Sequence, residues 1–102
     1  MRGAMIVSTW KGWTFGVRVR KRDVADFFPR GITSVSLDIA GVLHRFPLSV
    51  KFWGKCPEIR GAAIGHWFQS MGIQSWPPYQ PHKLELIPIG KNSYRLRLRN
   101  RG

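Results

Sequence analysis

Four arginines close this chain at alternate positions, Arg95, Arg97, Arg99 and Arg101, with Tyr94, Leu96 and Leu98 set among them. A guanidinium group carries a fixed charge and a planar fork of donors, which suits it to phosphate oxygens and to base edges. Cations fall beside aromatic rings at two further places. Trp10, Lys11 and Trp13 form one group, and Lys51, Trp53, Lys55 and Arg60 form the other. Arg18, Arg20, Lys21, Arg22 and Arg30 make a third basic cluster. Lysine and arginine neutralise phosphates, and tryptophan stacks on bases, so these residue types together describe the chemistry of polyanion binding.

The whole composition points the same way. The chain has 102 residues, 17 of them Lys or Arg against 5 Asp or Glu, for a net charge of +12. That length is one domain. Because 43% of the residues are hydrophobic and 13% aromatic, a core can form, which separates the chain from disordered basic tails. A body this small and this charged repels itself, and a polyanionic partner would relieve the repulsion. Cys56 is the only cysteine, so no internal disulfide is possible, unlike most secreted scaffolds of this size. The N-terminal apolar run is too short for a signal peptide, and no stretch approaches the ~20 apolar residues of a membrane span. The expectation is an intracellular, cytoplasmic protein, nucleoid-associated or nuclear according to its host, with no membrane partner.

Enzyme chemistry finds little support. Asp23, Asp26, Asp38, Glu58 and Glu85 are dispersed, with no obvious carboxylate pair or metal triad. His44, His66 and His82 lack metal-ligand spacing. Cys56 follows Lys55, which could lower its pKa, but no partner for a nucleophile is signalled and a plain thiol is the simpler reading. There is no Gly-rich phosphate loop. The sequence therefore predicts no catalysis, no cofactor and no small-molecule substrate.

The elements that must position the basic groups are mostly strands. Residues 5–10 read as a strand, followed by a Lys11-Gly12 turn. Residues 14–20 alternate, with Phe15, Val17 and Val19 on one face and Arg18 and Arg20 on the other. Asp23 reads as a helix N-cap ahead of Val24, Phe27 and Phe28, and Pro29 ends that helix. Residues 32–39 alternate with Val35, Leu37 and Ile39 inward. After Ala40-Gly41, Val42, His44, Phe46, Leu48 and Val50 alternate back, which makes a hairpin. Residues 52–60 have no period and read as a loop. Ile64, Trp67, Phe68 and Met71 form one helical stripe, with Gly72 at the C′ position and Ile73 packing back on it. Residues 76–81 read as a stiff extended linker. Residues 83–89 and 93–99 form a second hairpin about Gly90-Lys91-Asn92. The expected fold is mainly β with two short helices (α+β), a small antiparallel pseudobarrel in the order ββ-α-ββ-α-ββ.

This order resembles the DNA-binding pseudobarrel, a fold that includes the B-three domain of plant transcription factors and the recognition domains of some bacterial restriction endonucleases. The matching stretches are Val19-Arg20-Lys21-Arg22-Asp23-Val24, the hairpin around Ala40-Gly41, the helix Ile64-Gly65-His66-Trp67-Phe68 and the final hairpin through Tyr94-Arg95-Leu96. The helix looks like the family's Gly-Trp-x-x-Phe signature, although here Trp67 and Phe68 are adjacent. The family's Gly-Asp before the last hairpin is replaced by Trp76-Pro77-Pro78. The resemblance implies that two loops grip the major groove of duplex DNA. The first arm would hold Ser8, Trp10, Lys11 and Trp13 with the neighbouring Arg18 and Arg20; Arg22 belongs to the adjoining phosphate-contacting cluster. The second arm would hold Lys51, Trp53, Lys55 and Arg60. It also implies a regulator, or the recognition part of a restriction or defence system.

Each residue also has a plainer reading. Any single arginine can simply be solvated, Phe52 is expected to cap the core, and Trp53 is as readily core as stacking surface. One of Trp10 and Trp13 is expected to be buried. Trp67 is assigned to the core by its stripe, and His44 by its alternation with apolar residues. Two rival functions remain. One is an RNA or single-strand binder that uses Trp10, Trp13 and Trp53 as stacking platforms. The other is an adaptor whose basic face docks on an acidic protein.

Overall fold

The computed structural model describes residues 3–12 and 14–99; Trp13 and Arg101 lie outside the described residues. The chain runs β1 (Met5–Lys11), β2 (Phe15–Arg18), α1 (Lys21–Phe27), β3 (Ser34–Ile39), β4 (Val42–Pro47), a 3-10 turn (Val50–Trp53), β5 (Glu58–Arg60), α2 (Ala62–Ser70), β6 (Lys83–Gly90) and β7 (Ser93–Leu98). All seven strands belong to one sheet, in the order β4-β3-β7-β6-β1-β2-β5. Its two edge strands approach each other where Gly61 meets the Phe46 ring, so the sheet curls nearly into a barrel. A side chain at Gly61 would place its Cβ 2.8 Å from that ring, and this seam therefore needs glycine.

Alternation fills the interior. Met5, Val7, Val17, Leu37, Ile59, Leu84, Leu86 and Leu96 point inward and are buried, while their neighbours along each strand point out. The helices close the body. Ile64 and Phe68 of α2 are fully buried, and Phe68 meets the edge of Phe15 at 5.7 Å. Gly72, at φ +76°, ends α2 in a Schellman motif: its N–H donates to the Gln69 carbonyl and that of Ile73 to the Phe68 carbonyl. Beyond α1, Phe28 stacks on Tyr94 at 4.8 Å and meets Phe52 at 5.0 Å. The Tyr94 hydroxyl donates to the Phe27 carbonyl. Burial pushes its pKa up from 10.0 to about 12.

The fold class is the one expected from the sequence, with several corrections in detail. Residues 58–60 are not loop but a short strand hydrogen-bonded to β2. One pair, β3 with β7, is parallel; the others are antiparallel. In β4 only Phe46 is buried; Val42 at its start is exposed, and Val50 lies 90% exposed on the 3-10 turn after the strand ends at Pro47. Arg20, not Asp23, occupies the N-cap of α1; Asp23 is the third helical residue and accepts from Arg20 Nε at 3.0 Å. Trp67 is half-buried at the margin of the core, where the α2 stripe turns toward solvent, whereas Phe68 is fully enclosed. His44 is likewise only half-buried.

Candidate nucleic-acid interface

The register of three strands builds the first arm and ties it to the second. Trp10 of β1 lies opposite Gly16 of β2, and Gly16 lies opposite Arg60 of β5. With no side chain between them, the Arg60 guanidinium reaches over the Trp10 indole, 5.6 Å from the ring centroid. The indole also crowds Gly12 in the hairpin turn, where an added Cβ would fall 2.6 Å from it. Trp10 is thus half-buried and fixed in place. The Lys11 ammonium sits over the Phe15 ring at 5.4 Å and is exposed.

The second arm is the 3-10 turn and the residues after it. Phe52 is fully buried and anchors the turn, and Trp53 packs edge-on against it at 5.1 Å, half-buried. Lys51 and Lys55 are both exposed around this anchor. A groove of about 440 Å³ opens beside Thr14 and Arg60, and none of the arm lysines lines it. Thr14 forms one wall, Pro47, Leu48 and Ser49 the other, and Glu58 and Arg60 line it as well.

Acidic residues decide where the positive charge is left uncompensated. On the outer wall, Asp38 accepts from Arg95 at 3.2 Å and Glu85 from Arg97 at 3.0 Å. Nearer the arms, Glu58 pairs with Arg18 at 2.6 Å and Asp23 with Arg20 at 3.0 Å. Among the described residues, no carboxylate pairs with Lys11, Arg22, Lys51 or Lys55. The arginines of β7 that dominate the sequence therefore carry their own counter-charges, and the arm lysines do not.

The expected site residues accordingly fall into groups. Trp10, Lys11 and Arg60 come together at the hairpin side, with Lys51, Trp53 and Lys55 on the facing arm. Arg18, the last residue of β2, and Arg20, the N-cap of α1, have their heads engaged by acids, and Arg22 is exposed in the first turn of α1. Trp13 lies outside the described residues. Two features were not foreseen. Lys83 lies across from Ser8 and donates to its hydroxyl at 3.0 Å, in the same outward row as Arg18. Trp76 and Tyr79, assigned to a linker, line a second cleft with Trp10, Lys11 and Arg18. Aromatic residues among prolines were the signal, since a connector has no need of them.

Among the described residues no three His, Cys, Asp or Glu side chains gather to hold a metal ion, and no helix is long and apolar enough to cross a membrane. Cys56 is exposed. Comparison with known protein families, with curated proteins and with solved structures finds no significant match to the chain.

Proposed function

We propose that this chain is a non-catalytic module that binds double-stranded DNA, with its two arms settled in the major groove, as a DNA-binding pseudobarrel would. The observation that supports this reading best is the pairing of a groove with an uncompensated charge. The groove runs between Thr14 and the 47–49 segment with Arg60 on its lining, and among the described residues no carboxylate pairs with Lys11, Lys51 or Lys55 of the arms. Lys11, Lys51 and Lys55 neutralise phosphates on either side, which orients the module, while Arg60 on the groove lining reads base edges. The Trp10 contact holds the Arg60 guanidinium partly ordered before DNA arrives, so less side-chain freedom is lost on binding. A regulator, or the recognition part of a restriction or defence system, would use such a module.

The test is a titration with a duplex of random sequence, the matching single strand and the matching RNA, each at two salt concentrations. Duplex binding that exceeds both single strands and weakens steeply with salt is the expected result. Tighter binding to single strands would replace this reading with the stacking one.

A further inference from the structure

Beside the first arm, Thr9, Trp10, Lys11, Arg18, Trp76 and Tyr79 line a second cleft of about 410 Å³. That volume lies within the ~300–1,000 Å³ typical of small-ligand sites. Its walls combine three aromatic rings with two cations, and Trp10 and Trp76 are half-buried. Tyr79 is 100% exposed and has φ +62°. It follows Pro78 in a turn closed by the Gln80 N–H donating to the Pro77 carbonyl at 3.0 Å. That is the third place of a turn that calls for glycine or asparagine. A bulky residue held there is strained. Neither burial nor backbone preference therefore accounts for the tyrosine.

The turn is also firmly seated. The His82 N–H donates to Thr9 Oγ1 at 3.0 Å, the Thr9 N–H donates to the His82 carbonyl, and Trp76 packs edge-on to the His82 ring at 6.1 Å. Tyr79 thus presents an aromatic face from an anchored segment.

We propose that this cleft takes one unpaired nucleotide adjoining the gripped duplex, with its base stacked between Tyr79 and Trp76 and its phosphate held by Lys11 and Arg18. The inference rests on the duplex-binding reading and extends it. Bases inside a duplex offer only their edges, so a stacking cleft can be filled only by a base that is bulged, overhanging or extruded. Arg18 then exchanges Glu58 for a phosphate, and Lys11, which has no carboxylate partner among the described residues, supplies the second charge.

The test compares a plain duplex with the same duplex carrying a single unpaired 2-aminopurine, using the intact chain and the variants Tyr79→Gly and Trp76→Ala. The bulged duplex is expected to bind roughly tenfold more tightly than the plain one, from one added stacking contact. Its 2-aminopurine fluorescence should be quenched on binding. Tyr79→Gly removes the backbone strain, so it should melt no lower than the parent while losing the preference and the quenching. Trp76→Ala should weaken both. Equal binding of the two duplexes by the parent overturns this inference and leaves the duplex reading standing. A preference that survives in Tyr79→Gly overturns it as well. Binding to neither duplex overturns both readings.

Discussion

Arg60 lies over Trp10 because Gly16 stands between them. The two residues belong to strands that do not pair with each other, and each is opposite Gly16 in its own ladder. A Cβ at Gly16 would fall 2.5 Å from the Ile59 carbonyl oxygen and 2.8 Å from Arg60 Cβ, so β5 itself would have to shift. One missing side chain therefore couples the first arm to the second.

Gly16→Ala should cost about 1–3 kcal/mol of stability, the usual range for overpacking a tight contact. Its tryptophan emission should also change as Arg60 leaves Trp10. Chemical denaturation with fluorescence detection reads both effects together. A variant with parental stability and an unchanged spectrum would separate the two arms.

Phe68 and Trp67 are neighbours on α2 with different surroundings. Phe68 is fully enclosed and touches Phe15, whereas Trp67 is half-buried. Phe68→Ala should destabilise by roughly 3–5 kcal/mol, and Trp67→Ala by clearly less, because the space it leaves opens to solvent and no closed cavity forms. Thermal melts of the two variants give the order directly, and a larger loss for Trp67→Ala would contradict the packing described.

Tyr94 couples the core to alkaline pH. Its pKa rises from 10.0 to about 12 because burial disfavours the phenolate. Below pH 10 the hydroxyl is neutral in both folded and unfolded chains, and its contribution is fully present. As pH climbs from 10 to about 12 the unfolded chain ionises first, so about 2–3 kcal/mol of stability is lost. Tyr94→Phe should flatten that decline while losing about 1 kcal/mol at neutral pH, since the Phe27 carbonyl loses its donor. Denaturant midpoints at a series of pH values compare the slopes. An equally steep decline in the variant would contradict the role given to Tyr94.

Much of the architecture was legible in the residues. The alternation in β3 and β7 was strong enough to fix both strands and their inward faces. Gly72 and Ile73 mark the end of α2 in the sequence itself, because the Schellman motif needs a left-handed residue followed by an apolar one. What was lost was short or distant. Three residues, Glu58–Arg60, carry too little alternation to announce a strand, and Pro57 and Gly54 nearby signal a loop. Val50 keeps the period of β4 in its lettering although the strand stops at Pro47. The parallel pairing of β3 with β7 joins segments more than 50 residues apart, beyond any local signal.

The candidate site was legible by residue type but not by charge balance. Nothing near Arg95 in sequence shows that Asp38 will meet it, nor that Glu85 will meet Arg97 from the neighbouring strand. The alternation of β7 puts its arginines on the outer face, but that their charges are matched there is not legible in the sequence. Trp76 and Tyr79 were hidden by their prolines, which describe a linker equally well.

The measurement that bears most directly on the two-arm account is the salt dependence of duplex affinity in two double variants with the same net charge. One is Lys51→Ala with Lys55→Ala, the other Arg95→Ala with Arg97→Ala. Each lost phosphate contact should lower the slope of log affinity against log salt by about 0.9, so the arm variant should lose nearly 2. Its thermal stability should stay at the parental value, because both lysines are exposed. The β7 variant removes arginines that already face carboxylates, and its slope should remain close to that of the parent. Equal slopes in the two variants, or a larger loss in the β7 variant, would contradict the arms and place the DNA on the outer wall of the sheet.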